Sequence, residues 1–432
     1  MSVQTTQRVV KKTIVQTKPG SLNGLRDIVT QTNPYWNSIL KRLHNIGQMY
    51  GFQQVETPIM EEEKIYTDFY KDQPRVLEKT IFTQMGNKSV ALRSSVLPSI
   101  LRYYVQNKVG EAQPMSKWVY VGNIVEADPR QAVHSSYQFG FEVLGSFNHL
   151  TEAQVISAVW DVLERLGLPE AQLEINTTGD AATQNAYQNV LRDYLKGKEY
   201  ELCEDCTNHL TGRTLNILRC QNLDCQLVVA EAPAILDFLD APARKQFTDT
   251  LEALDELGLP YQLNQFYVGG EGSSRTNIVF KFKHGNESVV IGEGAYHDLL
   301  LKNIAGKTAP AFGFIGDLSA LVRAMELAQV EALIKNDSEV FLVPLGELAS
   351  KKSLRLFRDL IAADVRVHDH FGTVGVKNQL KQAEENKSPI ALIMGQKEAM
   401  DEMVILRDVK SGMQEVFSYD KIIDEVKKRL GR

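Results

Sequence analysis

The sequence predicts an α+β core, an antiparallel sheet flanked by helices and broken by a helical insertion, followed by a small α/β domain. Three observations predict it. Strand patterning dominates residues 52–178 and returns at 278–291, while the stretch between is helical, charge-rich and holds every cysteine. From 118 to 145, two strand-like runs flank Asp128-Pro129, the pattern of an antiparallel hairpin. Beyond the polar segment 331–338, strand and helix signals alternate to the end of the chain.

With 432 residues the chain exceeds what one core usually serves, so several domains are expected. The expected organisation is a polar arm at 1–18, a core at 19–178 and 259–330, an insertion at 179–258, a linker at 331–338 and a domain at 339–432. The arm carries Arg8, Lys11, Lys12 and Lys18 without an apolar stretch, so it does not read as a signal peptide and the cytoplasm is expected. No apolar run approaches the ~18 residues a membrane span needs, so no membrane partner is expected. A net charge of −6 supplies no global attraction to a polyanion, so any RNA contact needs a local basic patch.

Taken in order, Trp36, Ile39, Leu40, Leu43, Ile46 and Met49 recur at helical spacing between Pro34 and Gly51. Residues 52–58 alternate toward a strand that Pro58 confines to a sheet edge, a strand end or a subunit boundary. Residues 90–106 supply a helix and 118–145 the hairpin. Thr151 with Gln154 reads as a capping box for a helix carrying Val155, Val159, Val162 and Leu166 and closed by Gly167. Strands follow at 173–175, 278–282 and 289–291, and a helix at 318–328. In the last domain, strands at 340–345, 365–367 and 390–395 alternate with helices at 354–363 and 376–385, giving a largely parallel sheet. A final helix buries Ile422, Ile423, Val426 and Leu430.

The four cysteines fall as Cys203-x2-Cys206-x13-Cys220-x4-Cys225. This spacing suits tetrahedral thiolate zinc in a structural role, with His209 as a substitute ligand. Disulfides and free thiols in a small helical core are the alternatives.

GFQQVETPIMEE at 51–62 resembles motif 1 of class II aminoacyl-tRNA synthetases, with Pro58 at the motif proline. WVYVGNIVEADPRQAVHSSYQFGFEVLG at 118–145 resembles motif 2 of the histidyl enzyme, and APAFGFIGDLSALV at 309–322 resembles its motif 3. LNGLRDIV, EINTTGD and NQLKQAEENKSPIALIMG extend the similarity through most of the chain. VFLVPLG and MGQKEAMDEMVILRDVKSGMQEV resemble the anticodon-binding domain of the same enzymes. The resemblance to the histidyl-tRNA synthetase family implies a class II synthetase core, an anticodon-binding-type domain, a homodimer, and tRNA or other RNA and histidine as partners.

Forming an aminoacyl-adenylate drives a carboxylate against the ATP α-phosphate, so such a site needs positive charge. In the family this implies three arginines, and each is replaced here. Glu126 stands at the motif 2 position, Ala320 at the motif 3 position with Ser319 beside it, and Val268 at the histidine-specific position of FYVGGEGSSRT. In that segment Gly272 and Ser273 replace two tyrosines, and Arg275 and Thr276 keep the pattern. Ser95 and Leu97 of LRSSVLPS replace a substrate-binding glutamate and a threonine, and Ala295 of GEGAYHDL replaces an arginine beside Tyr296. A unit-charge pair at ~4 Å and effective dielectric ~20 is worth ~4 kcal/mol, or about three orders of magnitude in rate. Three such losses argue against ligation and against ATP and Mg as cofactors, unless Arg130, Arg275 or a lysine compensates.

Gln138 and Glu142 align with family residues that grip the amino acid, and with Tyr296 they are the amino-acid-binding candidates. The alternative is that 138–145 is framework alone. Lys377, Lys381, Lys387 and Lys410 are the RNA-binding candidates. The resulting expectation is a binding or regulatory paralogue without ligase activity, acting on tRNA or another RNA, histidine or a protein partner. Its rivals are a divergent working ligase and a regulatory subunit of ATP phosphoribosyltransferase, which generally lacks the last domain.

Overall fold

The computed structural model describes residues 24–25, 27–28, 33–71, 73–128, 132–212, 214–270, 277–285, 289–306, 309–331, 338–369, 371 and 375–432, the side chain of residue 75 excepted. The 1–18 arm, Arg130, Gly272, Ser273, Arg275, Thr276 and residues 332–337 of the expected linker lie outside the described residues. The chain divides into two compact units after Glu331. Among the described residues, no helix is long and apolar enough to cross a membrane.

An eight-stranded sheet organises the first unit. Its order is Gln53–Gln54, Met115–Ala127, Val133–Gly145, Ala311–Asp317, Val289–Tyr296, Ile278–His284, Gln172–Thr177, Gln262–Leu263. The six inner strands pair antiparallel, and the two-residue strands at either end pair parallel. Period-two alternation sorts the side chains. Phe139, Phe141, Val143, Phe280, Phe312 and Phe314 point to one face, where helices Trp36–Met49, His149–Arg165, Ala241–Glu256 and Leu318–Leu327 cover them. Trp118, Tyr120, Leu144 and Ala311 point to the other, under Glu63–Phe69, Leu97–Gln106 and Asp298–Ala305. A small sheet of Met60–Glu62, Lys88–Leu92 and Phe82–Met85 lies beside this second group.

The hairpin reads as expected, with Met115 paired to Gly145 through to Ala127 with Val133. Several boundaries differ. The strand expected at 52–58 shrinks to Gln53–Gln54, at a sheet edge, and Met49 of the preceding helix is 63% exposed. Residues 88–92 are strand, and the helix begins only at Leu97, with Pro98 in its first turn where a missing N–H does no harm. His149–Arg165 starts two residues before Thr151, because the Asn148 side chain accepts from the Leu150 N–H and is the N-cap.

The insertion also ends early. Ala181–Leu195, Glu204–His209 and Leu223–Ala230 share a small core of Tyr187, Leu191, Leu195, Cys206, Ile217 and Cys225. Ala241–Glu256, expected to belong to it, instead buries Phe247 and Leu254 in the main core. There Thr250 donates to Glu152 at 2.7 Å and Gln246 at 2.9 Å, tying that helix to His149–Arg165.

The second unit has a sheet ordered Val367–Asp369, Val340–Pro344, Ile390–Met394, Met403–Asp408, Gln414–Ser418. The first three strands are parallel and the last two antiparallel, so the sheet is mixed rather than largely parallel. Gly412 at φ +75° supplies the left-handed residue that lets 408 turn back into 414. Helices Glu347–Ala362, Val376–Glu385 and Tyr419–Arg429 complete it, the last burying Ile422 and Val426.

Candidate functional site

A cavity of about 300 Å³ opens on the second face of the large sheet. Its floor comes from three adjacent strands in register, with Gln138 opposite Asp317 and Glu293 opposite Ile315. Alternation aims Glu126, Gln138, Glu293, Ala295, Ile315 and Asp317 at the same side, and Ser94 and Ser95 supply a wall ahead of the helix at Leu97.

The structure brings Glu126, Ser95, Gln138 and Ala295 together around this space. It does not bring Val268 or Ala320 there. Val268 is completely buried, and Ala320 sits in the first turn of Leu318–Leu327, where its backbone N–H donates to Asp317 at 2.9 Å. Tyr296 is also elsewhere. One residue along the strand from Ala295, it points to the opposite face, packs against Phe312 with the rings tilted by 59°, and hydrogen-bonds Glu152. Among the described lining residues, the charged groups are three carboxylates, Glu126, Glu293 and Asp317, against the single ammonium of Lys79.

At the deep end Glu142, an amino-acid-binding candidate, meets two groups that sequence reasoning passed over, His297 and Tyr120. Glu142 is fully buried, and its Oε2 stands 3.6 Å from the Nε2 of His297, which lines the cavity and is 2% exposed. Tyr120, 1% exposed, lies beside Glu142. Among the described residues, the Glu142 oxygens, the His297 ring nitrogens and the Tyr120 hydroxyl have no partner at full hydrogen-bond length, although the Tyr120 hydroxyl interacts with the Glu142 carboxylate. Gly140 and Gly313 make room for this arrangement: a Cβ at Gly140 would collide with Tyr120, and one at Gly313 with the Glu142 carboxylate. Burial pushes the Glu142 carboxyl well above the usual carboxylate range and pulls the His297 imidazole down to about 3, so the imidazole is neutral near pH 7. The segment GEGAYHDL held the signal, because 293, 295 and 297 alternate onto one face. Gln138 is better satisfied, its Oε1 accepting the Val96 N–H at 3.0 Å.

The four cysteines converge. Their sulfurs all lie within 4.8 Å of one another, with Cys203 and Cys220 Sγ 3.7 Å apart. Backbone N–H groups already point at two of them, Cys203 N to Cys225 Sγ at 3.1 Å and Asn222 N to Cys220 Sγ at 3.4 Å. Such donors stabilise thiolates, and tetrahedral sulfurs ~2.3 Å from a zinc stand roughly 3.8 Å apart, so these four thiols fit a metal. His209 is not part of the four-sulfur group.

The four lysines singled out are exposed. Lys377 and Lys381 share a helix face, where Lys381 pairs with Glu385 at 3.6 Å. Lys387 lies two residues beyond the end of that helix, at a positive φ of 53°. It sits near Lys410, since Val409 N donates to Pro389 O at 3.0 Å.

A family model described as histidyl-tRNA synthetase matches residues 24–321, and one described as anticodon binding domain matches 339–429. A histidine–tRNA ligase of Halothermothrix orenii is 29% identical over 416 residues, covering 94% of this chain and 98% of the relative. In fold, the chain is similar to apo histidyl-tRNA synthetase of S. aureus, with TM-score 0.77 at 22% identity over 95% of this chain and 100% of that one. It is also similar to an ATP phosphoribosyltransferase regulatory subunit/histidyl-tRNA synthetase from Bacillus halodurans, with TM-score 0.62 at 19% identity over 89% and 99% of the two chains.

Proposed function

This chain belongs to the histidyl-tRNA synthetase family, and on that premise we propose that it is a member without ligase activity, acting by binding tRNA or another RNA. The observation that carries the reading is Glu126 on the cavity wall at the motif 2 arginine position, with Glu293 and Asp317 also on the lining. A carboxylate there turns attraction for a triphosphate into repulsion of similar size, ~4 kcal/mol before screening. The triphosphate of ATP then lacks the basic partners it needs. The match of 339–429 to an anticodon-binding domain supports the RNA half of the reading, with Lys387 and Lys410 as the paired contacts and Lys377 and Lys381 as separate ones. A cytoplasmic homodimer is the assembly this reading implies.

The cysteine cluster belongs to the same reading as a structural zinc site. Cys203, Cys206, Cys220 and Cys225 would fill all four positions, leaving none open for chemistry. Its task would be to hold an insertion whose own core is small.

A second reading, a working ligase with a rebuilt site, is favoured by the similarity to the histidine–tRNA ligase of Halothermothrix orenii. The reading as a phosphoribosyltransferase regulatory subunit leaves residues 339–429 without a use. One experiment separates the first two. Histidine-dependent ATP–pyrophosphate exchange by the purified chain is expected at background, with total tRNA still retained in a filter-binding assay. Robust exchange overturns the proposal.

A further inference from the structure

We propose that His297 is an internal occupant of the amino-acid subsite, its imidazole standing against Glu142 where the imidazole or ammonium of an incoming ligand would stand, so that free histidine is kept out. The inference rests on reading the cavity as a synthetase-type amino-acid site, and goes beyond the question of ligation.

Three features lead to it. First, Glu142 shares a strand face with Gln138, yet only Gln138 reaches the cavity, because Glu142 is fully buried and the cavity ends at His297. Second, the nitrogen-bearing side chain facing the Glu142 carboxylate is the His297 ring at 3.6 Å, beyond hydrogen-bond length but within reach of a small rotation. Third, Tyr120 and Glu142 lie flat over Gly140 and Gly313, so the space beside the sheet is already filled by the chain's own groups. The His297 backbone is pinned, its N–H donating to Ala311 O at 2.7 Å, immediately before helix Asp298–Ala305. A carboxyl, imidazole and phenol buried side by side, with no partner at full hydrogen-bond length among the described residues, are costly to leave so, which marks the trio as a recognition surface rather than inert filling.

The test removes the ring and offers it back. In His297→Gly, imidazole is the probe, followed by heteronuclear NMR of the full chain, with L-histidine as a second titrant. The wild type is expected to show no saturable binding of either at millimolar concentration. His297→Gly should bind imidazole at least tenfold more tightly, and the added change Glu142→Gln should abolish that gain. Saturable histidine binding by the wild type, lost in Glu142→Gln, overturns the proposal, as does a folded His297→Gly with no gain for imidazole. If His297→Gly fails to fold, the imidazole nitrogen resonances of His297 in the wild type decide. They should move when Glu142→Gln is introduced, and unmoved resonances overturn the proposal. Failure is distinguishable from failure of the non-ligase reading, because histidine binding without pyrophosphate exchange sinks only this inference.

Discussion

The carboxylate of Asp317 accepts the backbone N–H of Ser319 at 2.6 Å and of Ala320 at 2.9 Å, so an acidic side chain of the cavity wall closes the start of helix Leu318–Leu327. The partial positive charge of that helix end, which could attract a phosphate, is already taken by Asp317. Ser136 adds a hydroxyl donor to the same carboxylate at 3.2 Å. Asp317→Ala should therefore destabilise the first unit by about 1 kcal/mol, the usual worth of a lost N-cap, measured as a lower urea midpoint with unchanged slope. A midpoint equal to the wild type's would show that the cap contributes nothing.

Restoring arginines should have unequal effects. Glu126 is half-buried on a cavity wall, and Glu126→Arg should leave stability within about 1 kcal/mol. Val268 has no exposed surface, and Val268→Arg should cost about 3 kcal/mol or more by burying an unpaired guanidinium. Denaturation of the two variants side by side checks the contrast, and equal losses would contradict the placement of Val268.

Purified chain should contain one zinc per protomer by elemental analysis, and Cys225→Ser should lose it. Without metal, amide exchange should accelerate at least tenfold across Ala181–Leu195 and Leu223–Ala230 while His149–Arg165 keeps its protection. Uniform protection in metal-free protein would mean that the small insertion core suffices.

Acidification should expose one specific interaction. Glu174 accepts from Lys283, from Asn264 at 2.7 Å and pairs with Lys281 at 3.1 Å. Burial opposes its ionisation, but these partners outweigh burial and hold the carboxyl down to about 2. A depressed carboxyl contributes stability that is full above the unfolded value of about 4.3 and lost as pH falls toward 2. After allowance for solvent screening the contribution is about 1–2 kcal/mol. Glu174→Gln should flatten the stability profile over that window. A parallel profile would refute the assignment.

Much of this was legible in the chain. The hairpin announced itself through two long apolar runs around Asp128-Pro129, and Val376–Glu385 matched its sequence limits because its apolar spacing is clean. Other features needed three dimensions. An amphipathic stripe says that Ala241–Glu256 buries Phe247 and Leu254, but not which core receives them. Asn148 and Thr151 are both eligible caps, and only backbone geometry chooses between them. At Tyr296 and His297 the outcome turned on a single step of strand alternation, which sends one ring to the packed face and the next to the cavity.

Arg93, two residues before Ser95 of the cavity wall, is 5% exposed and donates to the carbonyls of Thr57 at 2.8 Å, Pro58 at 3.4 Å and Asn123 at 2.8 Å. One guanidinium thus rivets the edge segment, the small sheet and the long hairpin together, with no carboxylate among those acceptors. The mechanical and the electrostatic duties of basic side chains are carried by different residues in this molecule. A lineage could therefore bleach the charge from the pocket without loosening the girders around it.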